Sequence, residues 1–97
     1  MASDQNQIFG RFKVDRVLGI GATGRVWLAT DGNDSVAVKA LRDEKKRKRF
    51  RAEIRRMRDC SGHFGVPEVI EVADDDTWFA MEYISGPSLR KLSLIHI

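Results

Sequence analysis

Three glycines, Gly19, Gly21 and Gly24, separate two short stretches in which apolar and polar residues alternate. Before them Phe12, Val14, Leu18 and Ile20 keep a period of two, interrupted at Arg16. After them Val26, Leu28 and Thr30 fall on one face and Trp27 on the other. A period of two marks a half-buried strand, and three glycines within six residues mark a tight turn. The chain is therefore expected to fold back here as an antiparallel hairpin. The rest of the sequence extends that hairpin. Asp31-Gly32-Asn33-Asp34 is a second turn, and Ser35–Leu41, rich in Val and Ala, is a third strand. From Arg42 no breaker occurs until Ser61-Gly62, and Phe50, Ile54 and Met57 follow helical spacing. Gly65 and Pro67 end that helix. Val66–Val72 and Thr77–Tyr83 are the fourth and fifth strands, joined by a turn at Ala73–Asp76. Ser85–Ser88 is a linker, with Ser88 placed to cap a short helix beginning at Leu89.

The expected fold class is α+β: a five-stranded antiparallel sheet with one long helix, after a loose tail at residues 1–8. A length of 97 residues suits one small domain. With 42% hydrophobic and 32% charged residues, most of the chain is expected to be ordered. A lone cysteine, Cys60, excludes an internal disulfide and a cysteine-built zinc site. No run of about 18 apolar residues is present, so no transmembrane helix is expected, and the polar start lacks signal-peptide character.

Charge is uneven. The net value is +3, yet residues 42–58 hold ten Lys/Arg against three Asp/Glu, and the remainder is net acidic. Lys45-Lys46-Arg47-Lys48-Arg49 followed by Arg51 admits a small nucleic-acid-binding module that uses the Lys45–Arg58 helix. A solvated helix face accounts for the same residues, and nucleic acid is not the expected partner.

Gly19-Ile20-Gly21-Ala22-Thr23-Gly24-Arg25-Val26 fits G-x-G-x-x-G-x-V. Glycines let backbone N–H groups approach an anion closely, although a flexible hairpin needs the same residues. A dinucleotide-binding loop would open a helix, whereas Arg25–Thr30 alternates like a strand. The G-x-x-x-x-G-K-[ST] pattern is absent. In Val36-Ala37-Val38-Lys39, Ala37 and Lys39 share one strand face, offering a small residue and a cation suited to phosphate. Glu53 lies between Phe50 and Met57 on the apolar side of a basic helix. An acid on that side needs a cationic partner, and Lys39 is the natural candidate; Arg49 or Arg56 on the same helix is the alternative.

Together these residues resemble the N-terminal lobe of a protein kinase domain, most closely bacterial serine/threonine kinases of eukaryotic type. The resemblance spans about residues 9–91 and includes Met81-Glu82-Tyr83-Ile84 and Gly86-Pro87-Ser88-Leu89. It implies that the backbone of Gly19, Ile20, Gly21, Ala22, Thr23 and Gly24 covers ATP phosphates. Leu18, Val26 and Ala37 would enclose adenine. Lys39 would hold the α- and β-phosphates and pair with Glu53. Met81 would be the gatekeeper, Glu82 and Ile84 the hinge groups, and Ser88 a ribose contact. Thr23 stands where many kinases carry an aromatic.

The H-R-D and D-F-G segments, which carry the base and the Mg2+ ligands in kinases, do not occur, and neither His63 nor His96 has such neighbours. The second lobe would supply those ligands. The chain is therefore expected to be a partial domain, inactive alone, with weak nucleotide affinity. Leu92–Ile97 matches an in-frame translation of a transposon-type sequencing adaptor and is expected to be non-native. ATP and a protein substrate are the partners implied for the full-length enzyme, in the cytoplasm or anchored to a membrane. A pseudokinase scaffold is a third reading.

Overall fold

The computed structural model describes residues 7–61 and 65–83. The strands are β1 (Ile8–Phe9), β2 (Phe12–Ile20), β3 (Gly24–Thr30), β4 (Ser35–Leu41), β5 (Val69–Val72) and β6 (Trp78–Glu82), with one long helix, α1 (Arg47–Cys60), between β4 and β5. They form a single antiparallel sheet in the order β1-β2-β3-β4-β6-β5. The sheet thus has six strands where the sequence suggested five. The extra one, β1, straddles the end of the expected tail, with Ile8 inside it and Phe9 beyond it. Its Phe9 pairs with Phe12 across a tight turn in which Gly10 takes φ +59°. Phe9 is buried and tilted against Trp27 and Trp78, at 6.5 and 6.0 Å between ring centres, and this aromatic packing holds so short a strand in place.

Both faces of the sheet are apolar. One face gathers Phe9, Phe12, Val14, Trp27, Ala29, Val36, Val38, Ala40 and Ala80. The other gathers Val26, Ala37, Phe79 and Met81 beneath the helix residues Phe50, Ile54 and Met57. Phe50 and Phe79 meet at 5.7 Å between ring centres.

Strand β2 changes face midway. Register shifts between Val14 and Arg16 and between Val17 and Gly19 place two residues of β2 opposite one of β3. Each extra residue switches which side chains face which side, and the second reverses the switch made by the first. Phe12 and Val14 therefore pack in the first cluster, whereas Leu18 reaches the second, and Ile20 is 53% exposed. This accounts for the interruption of the alternation at Arg16.

The helix starts later than the sequence suggested. Asp43 caps a single 3-10 turn, Glu44–Lys46, by accepting a bond from the Lys45 N–H, and α1 follows from Arg47. Arg47 binds both oxygens of Glu44 and the carbonyl of Asp75, and Arg51 lies 3.3 Å from Asp76. These contacts tie the first turns of α1 to the turn between β5 and β6. Strand β5 begins at Val69 rather than Val66. Pro67, which is buried, has no N–H to give a ladder. The expected linker at 85–88 and the helix from Leu89 lie outside the described residues.

Candidate functional site

The site grows from the register of β4. Lys39 faces Val26 on β3 and Phe79 on β6, and Ala37 faces Leu28 and Met81. Alternation puts Ala37 and Lys39 on the helix side of the sheet, with Val36 and Val38 on the other. The Lys39 side chain is completely buried. Its Nζ donates to Glu53 Oε2 at 2.7 Å. Glu53 comes from the middle of α1, one turn from both Phe50 and Met57, and its side chain is 12% exposed. The ion pair thus bridges sheet and helix inside an apolar layer, as the helix pattern led one to expect.

Burial pushes the Lys39 amine below the usual lysine range. The hydrogen bond and charge of Glu53 oppose that shift, and Arg49 and Arg56 add to it. In a site of low polarizability, a charge-assisted bond of this length is strong and geometrically defined.

The glycine loop lies beside this pair. Gly21 N–H donates to the Gly24 carbonyl at 2.8 Å and closes the turn. Gly24 packs so close to β4 that an added Cβ would stand 2.2 Å from the Ala40 carbonyl oxygen. Two contacts at the tip have no signal in the sequence. Thr23 Oγ1 donates to Glu53 Oε1 at 2.8 Å, and Lys46 Nζ donates to the Ala22 carbonyl at 2.8 Å. Thr23 is only 5% exposed. Neither contact follows a sequence period, because each depends on where a loop meets a helical segment 24 to 30 residues away.

Of the residues singled out from sequence, the fold brings Leu18, Val26, Ala37, Lys39, Glu53 and Met81 to one face, with Thr23 bonded to Glu53. Ile20 and Glu82 are exposed. Ile84 and Ser88 lie outside the described residues. Among the described residues no group of three His, Cys, Asp or Glu is placed to hold a metal ion.

No protein-family model matches the chain. It is 37% identical over 90 residues to the probable serine/threonine-protein kinase PkwA of Thermomonospora curvata, covering 84% of this chain. It is 40% identical over 78 residues to the serine/threonine-protein kinase STE20 of Candida glabrata, covering 74%. A crystallised double mutant of the PknI kinase domain of Mycobacterium tuberculosis superposes with a TM-score of 0.62 at 29% identity over 89% of the chain. In sequence and in fold the chain matches the N-terminal lobe of serine/threonine protein kinase domains. The chain spans 12% and 8% of the length of those two curated relatives and 37% of the PknI domain. Within the lobe, the Lys39–Glu53 pair lies between β4 and α1, beneath a glycine turn joining β2 and β3. No described helix is long and apolar enough to cross a membrane.

Proposed function

We propose that this lobe binds ATP for phosphoryl transfer to serine or threonine hydroxyls in the complete kinase. The buried Lys39–Glu53 pair carries this reading. A buried ion pair is costly to desolvate, and apolar residues in place of both partners would often be no less stable. Its position under a glycine turn gives it a use. Lys39 would attract phosphate oxygens, Glu53 would hold the amine in place, and the backbone of Gly19–Gly24 would lie over the phosphates. Leu18, Val26, Ala37 and Met81, gathered on the helix side of the sheet, would enclose a planar base. Glu82, and Ile84 beyond the described residues, would serve the edge of the base, and Ser88 the ribose. ATP supplies the transferred phosphoryl group. Mg2+ ligands and the base that accepts the hydroxyl proton would come from a second lobe. The basic face of α1 is the feature that would support nucleic-acid binding.

The test is a titration of the isotope-labelled chain with ATP, followed by NMR. Shifts should concentrate at Leu18–Val26, Ala37, Lys39 and Met81, with affinity weaker than micromolar, and Lys39→Met should abolish them. Shifts confined to the outer face of α1, or none at millimolar ATP, would refute the reading. Labelled ATP should yield no phosphate transfer by this chain alone.

A further inference from the structure

The loop tip makes a contact that nucleotide binding does not require. The residue whose backbone would lie over phosphates has its side chain committed elsewhere. Thr23 is buried at the tip and its hydroxyl donates a hydrogen bond to Glu53. The two oxygens of one carboxylate are thus shared: Oε1 takes the loop hydroxyl and Oε2 takes the Lys39 amine. The loop tip consequently stands one carboxylate away from the cation that phosphate would seek.

We infer that Thr23 is a latch: its bond to Glu53 pins the glycine loop against α1 and Lys39 until an incoming phosphate chain displaces it. Three features support a closed loop. The turn is closed internally by the Gly21–Gly24 bond. Its tip is bound again on the solvent side, by Lys46 to the Ala22 carbonyl. Its far end is fixed against β4, because Gly24 has no space around its Cα. Movement is therefore confined to the tip, and the contact that holds the tip on the Lys39 side is the Thr23 hydroxyl. A threonine suits this role. It is short enough to reach a carboxylate without filling the space below the loop, and one hydrogen bond to a charged group is strong enough to hold a tip yet weak enough to be exchanged.

The second half of this inference, displacement by phosphate, rests on the ATP reading above; the first half, the closed loop, does not. Both are tested on the full chain. Backbone 15N relaxation of residues 21–24 should give order parameters in the rigid range, about 0.85, and Thr23→Val or Thr23→Ala should lower them below about 0.6. Thr23→Ser, which keeps the hydroxyl, should restore rigidity. A loop already mobile in the wild type, or a serine variant as loose as the valine one, would overturn the latch. ATP should bind Thr23→Val about tenfold more tightly than wild type, because no bond must be exchanged. Equal or weaker binding would overturn the displacement. Absence of ATP binding in every variant would overturn the displacement and the ATP reading together, and the relaxation data would still decide the closed loop.

Discussion

Replacing Gly24 by alanine tests whether the third glycine of the loop is demanded by the sheet rather than by a ligand. The new Cβ would meet the Ala40 carbonyl oxygen at 2.2 Å and its carbon at 3.0 Å. Both are backbone atoms of the paired strand, so no rotamer change can relieve the contact. Relief needs β3 and β4 to part by roughly 1 Å. The overlap costs about 2 kcal/mol by analogy with overpacked cores. Weakening of ladder bonds near the Gly24–Leu41 and Arg25–Ala40 pairs adds about 1 kcal/mol. A loss of about 3 kcal/mol is roughly a third of the stability usual for a chain of this size. It should lower the melting temperature by about 12 °C or more. The assay is urea and thermal unfolding without nucleotide, followed by tryptophan fluorescence. Gly32→Ala is the control. Gly32 has φ +103° with nothing within 4 Å of an added Cβ, so only backbone strain of about 1 kcal/mol applies. If Gly24→Ala costs no more than Gly32→Ala, the steric argument is wrong.

Two further outcomes follow from the charges. Lys39→Met should destabilise the chain by about 3 kcal/mol at neutral pH, because it strands the Glu53 carboxylate in an apolar layer. Since burial lowers the Lys39 pKa, the folded chain holds this proton less tightly than the unfolded chain. Between the lowered value and the ordinary 10.5, stability therefore gains a component that rises with pH, and the variant should lose that component in urea midpoints measured as pH approaches 10.5. On the acid side, Asp31, Glu44 and Asp75 all sit below their ordinary values. The Asp34 and Asn33 N–H groups, Arg47, and Thr77 respectively are the main causes. Their stabilisation is complete above those ordinary values, 4.5 for Glu44 and 3.8 for the aspartates, and is lost as pH falls through the lowered ones. Urea midpoints should therefore decline below about pH 4.5; a midpoint constant down to pH 3 would contradict the assigned bonds.

Local pattern carried much of this lobe. The alternation in Val36–Lys39 set which face holds Lys39, because strand side chains alternate whatever the surroundings. Phe50, Ile54 and Met57 fixed which side of α1 is buried and so placed Glu53 opposite the sheet. The pair at 2.7 Å is the meeting of two periodicities, each readable by itself. Tertiary structure decided what has no period. Strand β1 exists because Phe9 finds Trp27 and Trp78, two residues far away in the chain. The face change in β2 arises from register against β3, which a single strand cannot reveal. Likewise, the glycine pattern marked a turn without saying why each glycine is needed. Gly24 is required by a carbonyl sixteen positions on, and the Thr23 hydroxyl meets its acceptor only after helix and sheet have packed. Side-chain direction is a local property of backbone geometry, whereas the partner of a side chain is a property of the assembled fold.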